Sequence, residues 1–156
     1  MTPPPLLSLL RQLCLGAAAA CLLLLHPLAS SASLLHLAGP VPSDLGLHGG
    51  HLAACTTPAH CSREDWPVAD PRSALASLLP AVLALDGVSV VDTSADYLHA
   101  TVTSRLFGFV DDLELHAAAE RGMLEARSVS RLGDSDLGVN ARRLETLRRA
   151  LETPST

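Results

Sequence analysis

The fold is decided by residues 107–143, FGFVDDLELHAAAERGMLEARSVSRLGDSDLGVNARR. Two segments of this stretch, Phe109–His116 and Met123–Ser130, alternate between two side-chain faces, as β-strands do. The residues between them end in Gly122, which is free to take the positive φ of a turn. The stretch therefore predicts an antiparallel hairpin, followed by a polar loop over residues 131–140 and then a helix.

Pairing of these two strands places an acid beside Arg127. The apolar faces of the strands match in two neighbouring registers. In one register Asp112 lies opposite Arg127, and in the other Glu114 does. An exposed cross-strand ion pair of this kind contributes only ~0.2 to 1 kcal/mol to stability. The pattern leaves open whether Arg127 serves stability or binding.

Asp111 has a less ordinary position, because it shares the apolar face of its strand with Leu113 and Leu115. The same two registers place it opposite either Ser128 or Ser130. A carboxylate on an apolar face needs hydrogen-bond partners or a raised pKa. Asp111 is therefore a candidate for binding or for acid–base chemistry, and the alternative is a structural carboxylate whose hydrogen bonds are satisfied.

The loop over residues 131–140 joins the hairpin to the last helix. Asn140, or Asp136 one turn earlier, is placed to cap that helix. Asp134, Asp136 and Asn140 offer oxygen ligands for calcium, but the ligand and glycine spacing is not that of an EF-hand, and we predict no metal site. The start of the helix beside Arg131 is a second candidate, as a site for an anion.

The last helix has an apolar stripe at helical spacing, formed by Leu144, Leu147 and Leu151. We expect its arginines to lie on the solvent side: Arg142, Arg143, Arg148 and Arg149.

Upstream, Asp70 followed by Pro71 is typical of a helix start. We expect a helix over residues 71–79, interrupted at Pro80 and continued to Leu85. Two further strands are predicted, over Val88–Asp92 and Tyr97–Leu106. The prediction is an α+β fold in which a four-stranded, largely antiparallel sheet carries an N-terminal helix and a C-terminal helix packed on it.

The first 32 residues are typical of a secretory signal peptide. Arg11 is the only charge before the apolar run Leu13–Leu25, and a helix-breaking proline and small residues follow the run. Cleavage is predicted after Ala32 or Ser31. The run is shorter than the ~20 residues that cross a bilayer as a helix, which disfavours an uncleaved anchor. We therefore expect export to the periplasm or the thylakoid lumen, with no stable membrane anchor after cleavage.

Two cysteines follow small residues, as the lipidated cysteine of a lipoprotein does. Cys21 lies inside the apolar run, and Cys55 lies well beyond the end of it. Because a signal peptidase acts at the end of the membrane segment, both positions disfavour lipidation.

Residues 33–54 contain glycine, proline and serine without a sustained period, which predicts a linker or a loosely packed arm. Beyond the signal peptide only Cys55 and Cys61 remain, and in an exported protein such a pair predicts one disulfide. The alternative is a metal carrier, because soft and borderline ligands crowd this region. The histidines concerned are His48, His51 and His60. An oxidising compartment favours the disulfide.

Composition narrows the class of partner. The chain has 156 residues, which predicts one domain. It contains no lysine, and its 11 basic residues stand against 16 acidic ones, for a net charge of −5. A negative chain repels phosphate backbones, and aromatic residues that stack on bases are few. Nucleic acid is therefore not an expected partner.

Several strings together resemble the family called domain of unknown function 1499. They are RSVSRLGDSDLGVN at residues 127–140, FVDDLE at 109–114, YLHA at 97–100 and the pair Cys55 and Cys61. The resemblance covers about residues 55–152, and the domain is predicted over 55–153. That family occurs in bacteria, including cyanobacteria, and in plastids, and has no established activity, so the resemblance implies no reaction. The chain differs from the frequent family residues at three positions: Thr56, His60 and Ala141.

The sequence contains no recognisable catalytic motif, neither a Ser/His/Asp arrangement at known spacing nor a phosphate loop nor HExxH. The first hypothesis is therefore a non-enzymatic binding or assembly factor outside the cytoplasm, acting on an unknown protein or a small anionic ligand, without a cofactor. Its predicted polar surface comprises ten residues: Asp111, Asp112, Arg127, Ser128, Ser130, Arg131, Asp134, Ser135, Asp136 and Asn140.

The alternative is a hydrolase-type enzyme. Asp111 or Asp112 would act as the general acid or base, and Arg131 would stabilise an anionic substrate. A third hypothesis, metal carriage by His51, His60 and the two cysteines, requires the thiols to be reduced. The sequence does not select the ligand, the reaction or the oligomeric state.

Overall fold

The computed structural model describes residues 37–153. The predicted signal peptide, its cleavage site and Cys21 lie outside the described residues. The described part is an α+β structure with two helices and an antiparallel sheet, which confirms the predicted class. Within residues 37–153 no helix is long and apolar enough to cross a membrane.

The described elements in chain order are β1 (Leu47–His48), β2 (His51–Leu52), β3 (Cys61–Pro67), α1 (Pro71–Leu83), β4 (Val88–Thr93), β5 (Tyr97–Thr103), β6 (Val110–Ala118), β7 (Met123–Ser130) and α2 (Val139–Glu152). Five strands form the main sheet of the described region, in the order β3-β7-β6-β5-β4, and each pairs antiparallel with its neighbours. Two short strands, β1 and β2, form a separate hairpin. A short 3-10 turn, Ala119–Arg121, joins β6 to β7.

The prediction of four strands is wrong by one, because it omits β3. This strand reads CSREDWP, a charged composition that intrinsic strand preference does not favour. It nevertheless pairs with β7 along its whole length, from Cys61 opposite Val129 to Pro67 opposite Met123. Its Trp66 is 5% exposed and belongs to the core. Tertiary pairing therefore outweighs local preference at this edge of the sheet.

Helix α1 also differs from the prediction, because Pro80 lies inside it and does not interrupt it. A proline in a helix leaves the carbonyl four residues earlier without its N–H partner. Here both Pro80 and Ala76 lie on the exposed face, so that carbonyl is on the solvent side. At the start of the helix, Asp70 accepts hydrogen bonds from the N–H groups of Arg72 and Ser73, as predicted for its cap.

Both helices cover one face of the sheet, and the apolar core lies between the helices and that face. Asp111 pairs with Ser130 and Glu114 with Arg127, which confirms the second of the two registers allowed by the sequence. Residues of alternate positions on β5, β6 and β7 meet the two helices in this core: Leu98, Ala100, Val102, Leu113, Leu115, Ala117, Leu124 and Ala126 from the sheet, with Leu75, Leu78, Val82, Leu144 and Leu147 from the helices.

The other face of the sheet is covered by the N-terminal segment. The sequence predicts a linker over residues 33–54, whereas the described part of it, residues 37–54, packs on the sheet. The Gly46 N–H donates to Glu114 Oε1 at 2.7 Å, and the Leu52 N–H donates to Glu125 Oε2 at 3.0 Å. Leu52 itself is 3% exposed. Two carboxylates of the sheet therefore hold this segment in place.

Candidate functional site

The covered face of the sheet carries a layer of charged side chains. The sequence predicts an exposed ion pair between Arg127 and an acid of β6, and the prediction that this pair is exposed is wrong. Asp112, Glu114 and Glu125 are fully buried, and Arg127 is 2% exposed. Burial follows from the segment over residues 37–54, which the pattern of the strands alone does not reveal. Charges in such a layer need partners, and the layer divides into three groups by its hydrogen bonds.

The first group is centred on Arg127. Its Nη1 donates to Glu114 Oε2 at 2.8 Å, and its Nη2 donates to Asp44 Oδ2 at 2.7 Å. Glu114 also accepts from the Tyr97 hydroxyl at 2.7 Å. Burial raises the pKa of Tyr97, and the hydrogen bond to Glu114 raises it further. Arg127 Nε is buried and has no hydrogen-bond partner among residues 37–153.

The second group is centred on Asp112. Arg131 donates to both of its oxygens, from Nε and Nη2, each at 2.8 Å, and His99 Nε2 lies 2.8 Å from Oδ1. Burial opposes ionisation of Asp112, but the hydrogen bonds from Arg131 and His99 outweigh it and hold its pKa below the usual value. Asp112 is therefore ionised at neutral pH, which disfavours it as a general acid.

The third group surrounds Glu125 and was not among the predicted site residues. Its carboxylate meets His116 Nδ1 at 2.9 Å and His51 Nδ1 at 3.1 Å, and it accepts from two arginines. These are Arg63 at 2.8 Å and Arg121 at 2.9 Å. Burial raises the pKa of Glu125, but the hydrogen bonds, led by that from His116, outweigh burial and lower the pKa to about 2.

Asp111 belongs to a different group, on the helix side of the sheet. Its Oδ2 accepts from Arg143 Nη2 at 2.7 Å, although Ser130 lies opposite it in the register. Arg143 is 8% exposed, so the prediction that it lies on the solvent side of its helix is wrong. The guanidinium reaches inward because Asp111 would otherwise be an unpaired charge on the apolar face.

Asn140 completes this helix-side group. Its Oδ1 accepts from Ser128 Oγ and from Arg143 Nη1, both at 2.6 Å. Its Nδ2 donates to Ser130 Oγ at 2.9 Å and to the His60 carbonyl oxygen at 3.2 Å. Asn140 therefore ties helix α2 to β7 and to the start of β3, and its side chain is not free to cap the helix.

Gly138 is the N-cap residue of helix α2, and Asp136, one of the two predicted caps, lies two residues before it. The Asp136 carboxylate accepts from the N–H groups of Gly138 at 2.8 Å and Asn140 at 2.9 Å. Burial opposes its ionisation, but these backbone donors outweigh burial and lower its pKa. Asp134 and Ser135 are exposed. Across the described part of the chain, no three His, Cys, Asp or Glu residues are placed to hold a metal ion.

The ten predicted site residues thus do not form one surface. Asp112, Arg127 and Arg131 lie on the side covered by residues 37–54. The residues of β6, β7 and α2 on the helix side form the other group: Asp111, Ser128, Ser130 and Asn140. The polar loop supplies Asp136, whose carboxylate accepts from the Asn140 N–H group at the start of α2. A cavity of about 310 Å³ beside this loop is lined by Asp111, Asp136 and exposed apolar residues such as Phe107 and Leu137.

A different cavity, of about 380 Å³, lies beside Arg127, and we call it the Arg127 cavity. Asp44, Arg127 and Arg131 contribute to its lining, and so does His60, whose Nδ1 is buried and unpartnered within the described residues. The Cys55–Cys61 disulfide, with Cα atoms 5.6 Å apart, confirms the predicted pairing, and Cys61 lines the cavity. The disulfide also removes the thiols that metal carriage requires.

A family model described as "Protein of unknown function (DUF1499)" matches residues 51–151. The chain belongs to the DUF1499 family. The match begins four residues before Cys55 and ends in helix α2. It therefore includes the five-stranded sheet and both arginines that line the Arg127 cavity. Asp44 lies outside the matched span. No curated protein matches the chain.

Proposed function

We propose that this DUF1499 protein is an exported, non-enzymatic binding protein that holds a small anion in the Arg127 cavity. The observation that carries the proposal is the guanidinium of Arg127. It is buried, lines a cavity, and has an Nε–H group with no partner among the described residues. A buried donor that lacks an acceptor costs about 1–3 kcal/mol, and more when it is charged. An anionic ligand would supply the missing acceptor.

The rest of the cavity wall also favours an anion. Arg131 lies at the same cavity, and His60 contributes a second buried nitrogen without a partner in the described region. Nitrogen donors of this kind suit carboxylate and phosphate oxygens. Small-molecule sites are commonly clefts of roughly 300–1,000 Å³, and the Arg127 cavity has a volume of about 380 Å³.

Binding is favoured over hydrolysis by the state of the two candidate acids. Asp112 is held as a carboxylate by Arg131 and His99, so it has no proton to donate. Asp111 is engaged by Arg143, on the opposite face from the Arg127 cavity. Neither acid stands free beside the cavity where a general acid or base would be needed.

The proposed export rests on the disulfide together with the signal-like N-terminus. A disulfide persists in the periplasm or in another oxidising compartment and is rare in reducing ones. Intact mass spectrometry of the chain recovered from its host should give the mass of a chain that starts at about residue 33. That mass should be two hydrogens lower than the mass of the reduced chain. A mass that includes residues 1–32, or a chain with two free thiols, would contradict export.

Calorimetric titration of the purified protein tests the anion site. The probes are acetate, benzoate, phosphate and sulfate, each at constant ionic strength. We expect at least one to bind, and Arg127→Lys to weaken that binding at least tenfold, since lysine keeps the charge but loses the planar fork of donors. The matched control is Arg149→Lys, on an arginine that is 73% exposed, which should bind as the wild type does.

Thermal melting of both variants separates binding from folding. If no probe binds the wild-type protein, or if a folded Arg127→Lys variant binds as tightly as the wild type, the proposed function is wrong.

A further inference from the structure

We infer that the ligand of the Arg127 cavity is a small organic monocarboxylate, and that it replaces Asp44 on Arg127. This inference rests on the proposed anion-binding function and names the class of ligand. Its first support is a comparison between two arginines of the same charged layer, Arg127 and Arg131.

Arg131 shows the complete form of the interaction. Its Nε and Nη2 donate side by side to the two oxygens of Asp112, each at 2.8 Å. This two-point contact is the strong geometry for a guanidinium and a carboxylate. Arg127 offers the same pair of atoms, but only Nη2 has a carboxylate oxygen, from Asp44 at 2.7 Å. Its Nε has no partner within residues 37–153. A carboxylate free to orient would engage both.

Asp44 is the replaceable partner of Arg127. Its side chain is 46% exposed, whereas Glu114, which holds Nη1, is fully buried. Water competes for the half-exposed carboxylate of Asp44, so this pair holds Arg127 less firmly than the fully buried pair with Glu114 does. Asp44 makes a single contact to Arg127 and belongs to the segment before β1, outside the span matched by the family. The contact is therefore weak enough for a ligand to displace.

The charge around the cavity selects a monoanion. Arg127 and Arg131 are balanced by the buried Glu114 and Asp112, with Asp44 as a further acid. If a monocarboxylate replaces Asp44, the total charge of the groups that contact the Arg127 guanidinium does not change. A dianionic phosphate would add a second negative charge next to Glu114 and Asp112, and like charges in a buried layer repel.

The rest of the cavity wall favours a ligand whose carboxylate is attached to an apolar group. Pro40, Val41 and Pro42 form one side, and Val129 and Cys61 of the disulfide lie on the sheet side. Thr56 and Thr57 also line the cavity. Acetate has only a methyl group to place against the apolar residues, whereas benzoate combines a carboxylate with an apolar ring.

The experiment compares benzoate, acetate and phosphate by calorimetry at constant ionic strength, on the full chain and on Asp44→Ala. We expect benzoate to bind the wild type most tightly and Asp44→Ala to bind it about fivefold more tightly, which is the effect of removing a competing ion pair worth up to about 1 kcal/mol. Asp65→Ala is the matched control. It removes another partly exposed acid that contacts an arginine, and it should leave benzoate affinity unchanged.

The outcomes separate the two proposals. If phosphate binds more tightly than benzoate and depends on Arg127, the anion site stands and the monocarboxylate is wrong. If benzoate binds but Asp44→Ala binds it no better than the wild type, displacement of Asp44 is wrong while the anion site stands. If no probe binds either protein, both proposals fail.

Discussion

Replacement of Glu125 by glutamine tests whether the buried charged layer stabilises the fold. Glu125 is fully buried and accepts hydrogen bonds from the Leu52 N–H group, two histidines and two arginines. Glutamine has nearly the same shape but cannot carry the negative charge that these donors surround. The Glu125→Gln variant therefore removes the charge and keeps the volume.

The size of the effect follows from the pKa of Glu125. Its hydrogen bonds lower the pKa from 4.5 to about 2. Lowering a pKa by one corresponds to about 1.36 kcal/mol, so the ionised carboxylate contributes about 3 kcal/mol to the free energy of unfolding. Because the folded pKa lies below the unfolded one, this contribution is fully present above about pH 5. It is lost as the pH falls towards 2.

The assay is chemical denaturation of wild type and variant between pH 2 and pH 7. The variant should be less stable by about 3 kcal/mol at pH 7, and the difference should shrink steadily below pH 5. Glu120→Gln, on an exposed acid of the adjoining turn, is the control and should change stability by less than about 0.5 kcal/mol. A Glu125 effect that does not vary with pH, or that equals the control, would refute the reasoning.

Two other predictions concern the helix side and a tight turn. Arg143→Met should lower the free energy of unfolding by about 3 kcal/mol in chemical denaturation, because Asp111 loses its partner. Adding Asp111→Leu should recover part of that loss, and a double variant whose loss equals the sum of the two single losses would contradict the pairing. Gly87→Ala should lower the free energy of unfolding by ~1–3 kcal/mol more than Gly49→Ala does. Both glycines have positive φ, but only at Gly87 would a Cβ meet a backbone carbonyl of β5. Equal melting temperatures for the two variants would show that the backbone at Gly87 shifts to accommodate the methyl group.

The hairpin of β6 and β7 was predictable because its pattern is local. Alternation places Asp111 with Leu113 and Leu115 on one face, and only two registers bring the apolar faces together. Periodicity also locates the buried stripe of helix α2, since Leu144 and Leu147 are fully buried. The disulfide was predictable because only two cysteines lie beyond the signal-like N-terminus.

Strand β3 was not predicted because of its charged composition. Its residues Arg63, Glu64 and Asp65 resemble a surface loop, and the strand forms because β7 offers a complete row of backbone partners. The burial of Arg143 was missed because its residue type suggested a solvent position, although it precedes Leu147 by four residues and so shares the buried face of the helix. Its inward position depends on Asp111, which lies 32 residues away in the chain.

The sequence by itself determined the elements whose side chains repeat with a regular period, the register of the central hairpin to within two choices, and the pairing of Cys55 with Cys61. Only the tertiary structure decided that the acids and arginines on one face of the sheet are buried. The physical reason is that periodicity reports the face of a strand but not what covers that face. Residues 37–54 cover it, and that contact turns an ordinary row of surface charges into a buried layer with an unpaired donor at Arg127 among the residues described.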